Sequence, residues 1–213
     1  MIHSAGAWLP DDEHDQVMLG AGARYQSAKL EKALPYCRKA RTAIDIGAHC
    51  GLWTAQLAQY FERVEAFEPL QRHIECWKKN AGWKLSNHLH EVALGEKVGT
   101  CGMKVVEGLS GRSHVNGGDQ FKMDRLDSHQ FEDVDFIKID TEGYELFVIK
   151  GAEETIRKWK PVMIVEQKPH HGGKYGLSDT AAVDYLKSMG YSVKQEIVGD
   201  FIMVFEQQEK EAA

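Results

Sequence analysis

Two glycines and two acids pose the first chemical question. Asp45-Ile46-Gly47-Ala48-His49-Cys50-Gly51 closes a short apolar run, and Val64-Glu65-Ala66-Phe67-Glu68-Pro69 follows it. The second acid, Glu68, comes about 20 residues after Gly47, the separation at which a parallel sheet holds a ribose. A glycine lets the backbone bend and lets a ligand come close. The free N–H groups of the helix that follows point at that ligand. Glu68 is placed to accept two hydrogen bonds from a ribose diol. The glycines, however, stand as Gly47-x-x-x-Gly51, and His49 holds the place where a pyrophosphate-binding turn has its second glycine. A nucleoside without a pyrophosphate fits better than NAD or FAD, and S-adenosylmethionine is one.

Further acids and imidazoles follow two later apolar runs. Asp140, Thr141, Glu142 and Gly143 come after one, and Glu166, Gln167, Lys168, His170 and His171 after the other. In a parallel sheet the ligand lies beyond the carboxyl ends of the strands, so these groups should share one rim. Crowded carboxylates favour a cationic guest, and a sulfonium is one. A hydroxyl acceptor must lose a proton, and imidazole, with a reference pKa of about 6.5, is a common base. His171, His170 and Asp140 are the candidates, in that order. Gly172 and Gly173 beside them predict a loop that moves. Mg²⁺ or Mn²⁺ on Asp140, Glu142, Glu166 and His171 is the competing arrangement. The expectation is no metal, because paired acids at strand ends commonly carry none.

These groups need a frame. Residues 1 to about 20 read as an irregular lead, and Tyr25–Cys37 as a helix that Pro35 ends or bends. The first strand and glycine turn open a helix with Trp53, Leu57, Tyr60 and Phe61 inward. Pro69 starts another, running to about Asn80. His90–Leu94 reads as a third strand and Thr100–Val106 as an extra one. Ser110–Gln120 reads as a glycine-rich loop. A strand at 135–139 precedes a helix over 142–159 that Gly151 kinks or splits, and a strand at 161–166 follows. Ser178 or Asp179 caps a helix that Gly190 stops. Tyr191–Ile197 and Phe201–Phe205 are close enough to form an antiparallel hairpin. Asp124 and Asp127 read as turn or strand-end residues. The fold class is α/β: a doubly wound, mostly parallel seven-stranded sheet with an antiparallel C-terminal hairpin.

On these segments the chain resembles the FkbM-type S-adenosylmethionine-dependent methyltransferases. The resemblance spans about residues 40 to 168. It rests on the turn from Asp45 to Gly51, on Phe67-Glu68-Pro69, on Val92-Ala93-Leu94-Gly95, and above all on Ile137-Lys138-Ile139-Asp140-Thr141-Glu142-Gly143-Tyr144-Glu145 with Lys150-Gly151-Ala152. It implies a Rossmann-like class I methyltransferase that methylates hydroxyls of sugars or small metabolites. It further implies that Asp45, Gly47, Ala48 and Gly51 surround the methionine part of the cofactor, and that Glu68, with His49 and Pro69 beside it, holds the ribose. Val92 and Ala93 would flank the adenine, and Asp140, Glu142 and Glu145 would lie near the reacting centre. His49 departs from the family, which usually has Asn there. The domain boundaries that follow are a lead and helix over 1–38 that could act as a lid, a methyltransferase domain over 39–208, and a disordered tail over 209–213.

Bulk properties narrow the partners. The chain has 213 residues, 43% hydrophobic and 27% charged, with a net charge of −6. Its basic runs are short, so a nucleic-acid groove is not expected. A small-molecule or carbohydrate acceptor is expected instead, with oligomeric state left open. Cys37, Cys50, Cys76 and Cys101 show no metal-binding or redox spacing and read as free thiols of a reducing compartment. With no signal peptide and no membrane span in view, a cytoplasmic location is expected. Two other classes stay open. One is an NAD(P)-dependent oxidoreductase, which would need a phosphate-friendly glycine loop. The other is a non-catalytic nucleoside-binding module, in which Gly47, Gly51 and Glu68 would be expected to have eroded.

Overall fold

The computed structural model describes residues 1–206. The chain runs β1 (Ile2–Ser4), β2 (Ala7–Leu9), α1 (Gln16–Ala21), α2 (Ser27–Ala33), β3 (Thr42–Ile46), α3 (Leu52–Leu57), β4 (Arg63–Phe67), α4 (Gln71–Asn80) and β5 (Asn87–His90). It continues through β6 (Ala93–Leu94), β7 (Gly99–Lys104), β8 (His114–Asp124), β9 (Val134–Ile139), α5 (Glu145–Lys150) and α6 (Glu153–Trp159). It ends with β10 (Val162–Glu166), α7 (Ala181–Ser188), β11 (Tyr191–Ile197) and β12 (Asp200–Phe205).

The main sheet has seven strands in the order β11-β12-β10-β9-β3-β4-β5. Strands β10, β9, β3, β4 and β5 are parallel neighbours, and the β11–β12 hairpin joins antiparallel to β10. β3 and β10 are buried along their whole length because helices cover both faces, which is why their sequences run apolar without alternation. On one face Val148, Ile149, Ile156, Val183 and Leu186 pack against Ile44, Ile137 and Met163. On the other, Leu30, Trp53, Leu57 and Phe61 pack against Ala43, Phe136 and Ile164. Each fully buried side chain of this size contributes about 1.5–3 kcal/mol. The chain leaves β3 in one direction towards β4 and β5, and later returns on its other side as β9. Ligands bind at such a reversal of strand order, beyond the carboxyl ends.

Several local expectations change. The lead is not irregular: β1 and β2 form a hairpin closed by Ala5 and Gly6, both at positive φ, and α1 follows with Asp15 as its cap. The predicted helix over 25–37 is only α2 plus a 3₁₀ turn at Leu34–Tyr36, because Pro35 sits at its start. Tyr60 lies beyond the end of α3 and is exposed. The third strand breaks after His90; Ala93–Leu94 pairs instead with β8 in a small sheet of order β6-β8-β7. Ser110–Gln120 is only partly a loop. It is a 3₁₀ turn at Ser110–Arg112 followed by the long strand β8, which pairs with β7 over His114–Asn116 and again from Phe121, with Gly117 and Gly118 exposed in the bulge between. Gly151 splits the predicted long helix into α5 and α6, because a Cβ there would meet the Gly95 carbonyl at 2.0 Å. Thr180, not Ser178 or Asp179, precedes α7, and the Asp179 carboxylate accepts the His170 N–H instead. Asp127 caps α6 through the amides of Glu154 and Thr155. The expected tail at 209–213 lies outside the described residues.

Candidate active site

The glycine turn is built by close backbone approach. Gly47 has φ +76°, and a Cβ there would sit 1.9 Å from the carbonyl oxygen of Asp140. Only glycine lets the ends of β3 and β9 meet so tightly. His49, also at positive φ, turns its N–H to the Glu68 carboxylate at 2.9 Å. The other Glu68 oxygen accepts the Leu70 N–H at 3.0 Å and faces His73 Nδ1 at 3.1 Å. Glu68 is thereby locked at the tip of β4, and with three donors on it one of a carboxylate's about four acceptor sites stays open. Beyond it opens a narrow cavity of about 60 Å³, lined on its apolar side by Phe67, Pro69, Val92, Leu94, Met103 and Val115.

A second, more polar chamber adjoins it. Tyr25, Ala48, Trp53, Arg112, Lys138 and His171 are among its lining residues, and it shares Gly47, His49, Gly111, Asp140 and Glu142 with the first. The ammonium of Lys138, buried in the centre of the sheet, donates to Asp140 Oδ2 at 2.7 Å and lies over the Trp53 ring. Burial works to raise the Asp140 pKa, but Lys138, Glu166 and Lys168 together outweigh it and hold the carboxyl well below the usual range, as an anion. Burial and the Asp140 charge push the Tyr25 phenol up to about 12.

Glu142, Glu166 and His171 meet at the rim of this chamber. Gly143, at φ +106°, would place a Cβ 2.3 Å from the His171 carbonyl, so glycine is what lets the loop after β9 press on the loop after β10. Glu142 itself sits at φ +58°, a strained conformation for a non-glycine residue and one that clusters at functional sites. Its Oε2 lies 3.1 Å from His171 Nδ1, yet neither atom has a hydrogen-bond partner. Burial and the neighbouring Asp140 charge raise the pKa of both Glu142 and Glu166. Burial, with Lys174 and Lys168 nearby, lowers that of His171 to about 4, so the imidazole is neutral at pH 7. Lys168 meets the other Glu166 oxygen at 2.5 Å.

The lead closes over this cleft, which the sequence did not reveal. One oxygen of buried Glu13 takes the amides of His14 and Asp15, and the other takes the amide and hydroxyl of Ser110. Ser110 Oγ in turn lies 2.7 Å from His49 Nε2. A chain Glu13–Ser110–His49 thus clasps the segment carrying Ser110 to the glycine turn. Because the hydroxyl donates to Glu13, it accepts from Nε2–H of His49, and burial and His73 keep this imidazole neutral. Glu13 stood among other acids of the lead and gave no sequence signal. His73, on the first turn of α4, could have been found by its distance of one helical turn from Pro69.

The sequence-derived candidates divide cleanly. Gly47, Ala48, His49, Glu68, Pro69, Val92, Ala93, Asp140, Glu142 and His171 all line the two chambers. Asp45, Gly51, Glu145 and His170 do not. Asp45 lies wholly buried behind the turn, where it accepts the Thr54 hydroxyl at 2.6 Å. Gly51 precedes α3 and gives Trp77 room, a Cβ there meeting the ring at 2.6 Å. Glu145 faces backwards and fixes the loop by accepting the amides of Thr141 and Gly143. His170 is exposed on the outer side of its loop. Tyr25 lines the polar chamber. Gln26 is tied to the Trp53 indole, and Gly117 is exposed on β8.

Comparisons with known proteins bear on this arrangement. The sequence model of the Methyltransferase FkbM domain matches residues 45–193. No curated protein matches the chain. A solved methyltransferase FkbM from Methylobacillus flagellatus KT superposes with a TM-score of 0.51 at 19% identity, over 78% of this chain and 43% of that one. The chain therefore spans less than half the length of that protein. A precorrin-6y C5,15-methyltransferase from Geobacter metallireducens GS-15 gives 0.51 at 12% identity, over 93% and 96% of the two chains. The N-methyltransferase NodS from Bradyrhizobium japonicum WM9, solved in complex with S-adenosyl-L-homocysteine, gives 0.50 at 10% identity, over 91% of each. At such identities the likeness is one of fold.

Proposed function

The chain belongs to the FkbM methyltransferase family, and from that premise we propose that its cleft binds S-adenosylmethionine and methylates a hydroxyl of a sugar or other small metabolite. The observation that carries this reading is the shared floor of the two chambers. Gly47, His49, Asp140 and Glu142 border both, so a ligand in the apolar chamber presents its reactive end to the polar one. Glu68 keeps one acceptor site for a ribose hydroxyl, on Oε2 beside the His49 amide, and Val92 and Ala93 line the cavity where a purine would lie. When bound, the cofactor supplies a methyl group on a cationic sulfur. Asp140, held ionised by Lys138, faces that charge.

The protein has little covalent chemistry to perform. Holding an acceptor oxygen in line with the methyl group supplies about 7–11 kcal/mol. The acceptor must still lose its proton, and we place that step at the Glu142–Glu166–His171 cluster. His170 and Glu145 are given no part in it. A nicotinamide reading is weaker, because the His49–Ser110 contact stands where a pyrophosphate would lie. Among the described residues no helix is long and apolar enough to cross a membrane. The four cysteines are free, which supports a reducing compartment such as the cytoplasm.

Incubation with S-adenosylmethionine and panels of sugars, hydroxylated metabolites, amines and short RNAs tests the reading. Release of S-adenosylhomocysteine with the hydroxyl panel, about 10²–10⁴-fold slower in His171→Ala, is the expected result. Turnover confined to amines or RNA would overturn the acceptor class.

A further inference from the structure

Buried polar atoms are ordinarily partnered, and exceptions call for a physical reason. Among the described residues three exceptions converge on one point: Glu142 Oε2, Glu166 Oε2 and His171 Nδ1. Glu142, Glu166 and His171 each offer a ligand atom within 4.8 Å of those of the other two. The glutamates are only 5% and 2% exposed, and both border the polar chamber. The contact between Glu142 Oε2 and His171 Nδ1, at 3.1 Å, lacks the orientation of a hydrogen bond. Two ligands at right angles on a cation with bonds of about 2.1 Å stand about 3.0 Å apart. The spacing is that of neighbouring ligands.

We propose that Glu142 Oε2, Glu166 Oε2 and His171 Nδ1 bind one divalent cation of the Mg²⁺ or Mn²⁺ kind at the rim of the polar chamber. Two carboxylate oxygens and one imidazole suit such a cation and leave about three octahedral positions open. The elements that set the triad are themselves forced: Gly143 presses the two loops together, and Glu142 is held at positive φ. The open positions face the chamber that also holds Asp140, Tyr25 and Arg112.

The use of the cation, though not the site itself, rests on the methyl-transfer reading. A hydroxyl coordinated to the metal loses its proton more readily. The proton passes to solvent water, the oxygen forms a bond to the methyl carbon, and the carbon–sulfur bond breaks with its electron pair remaining on sulfur. His171 is then a ligand, not a free base. The acceptors this favours carry two neighbouring oxygens, as a sugar diol or an α-hydroxy acid does, because both can occupy open positions on one cation.

Mn²⁺ is the probe. Titration of the intact protein, followed by the electron paramagnetic resonance signal of free Mn²⁺, should show one bound equivalent. Glu166→Gln and His171→Ala should weaken binding at least by the ~10- to 100-fold that a lost supporting residue costs a metal site. Melting curves confirm that each variant is folded, and His171→Ala serves if Glu166→Gln is not. Calorimetric titration with S-adenosylhomocysteine on the same samples separates the two readings. Mn²⁺ binding without cofactor binding sustains the site and refutes the cofactor. No bound Mn²⁺, or binding that both folded variants retain unchanged, overturns the site.

Discussion

Replacing Glu68 with alanine separates a ligand-binding carboxylate from a merely structural one. In the free protein its oxygens accept the amides of His49 at 2.9 Å and Leu70 at 3.0 Å. An amide left without a partner at the cleft floor costs about 1–3 kcal/mol. Water can enter the open cleft, so the lower end applies, about 2 kcal/mol for the two. In a domain of this size that lowers the melting temperature by about 4–8 °C. A bound ribose would lose charged hydrogen bonds as well, about 1.5–3 kcal/mol. The dissociation constant for S-adenosylhomocysteine should therefore rise about 10- to 150-fold. Calorimetry well below the lowered melting temperature reads the second effect free of the first. Glu68→Gln, which keeps the size and one acceptor, should fall between. A variant that melts lower but binds S-adenosylhomocysteine as tightly as before would refute the role given to Glu68.

Gly47→Ala adds a Cβ 1.9 Å from the Asp140 carbonyl at a positive φ; overpacking and backbone strain together should cost about 2–4 kcal/mol in urea unfolding, and a loss below about 1 kcal/mol would contradict the close approach. Glu13→Gln weakens the clasp on Ser110, so hydrogen exchange over 105–115 and the release rate of S-adenosylhomocysteine should both rise, the latter about tenfold if about 1.4 kcal/mol is lost; unchanged exchange would leave the lead without a role in closure. Burial raises the Asp45 carboxyl to about 6, against the opposing pull of Lys138. A raised acid contributes stability that is full below its unfolded pKa and is lost as pH rises through the folded one, so the wild type should lose about 2–3 kcal/mol relative to Asp45→Asn between about pH 4 and 6.5. A difference in urea stability that stays flat across that range would count against the buried charge.

What the sequence disclosed follows from how local its signals were. The parallel strands read as apolar runs because both faces are covered, and the turn at Gly47 and the acid at Glu68 are fixed by chain geometry within one βαβ unit. Asp140, Glu142 and His171 were legible because each lies within five residues of a strand end. Glu145 and Asp45 carry the same chemistry in equally suggestive places, and only the fold shows that one faces backwards and the other lies behind the turn. Ser110–Gln120 misled only in part: Gly117 and Gly118 do leave the ladder in a bulge, but the residues on either side of that bulge pair with β7. The Glu13–Ser110–His49 chain joins residues far apart in sequence, and nothing periodic marks them. The convergence of three unpartnered atoms likewise exists only once Gly143 has brought two loops together.

A crystal structure of the protein with S-adenosylhomocysteine tests the central claim most directly. The account predicts ribose hydroxyls within hydrogen-bond distance of the Glu68 carboxylate, the purine beside Val92 and Ala93, and the sulfur directed toward Asp140 and Glu142. A ligand seated elsewhere, or a fully soaked crystal whose cleft between Gly47 and Glu68 holds only solvent, would contradict it.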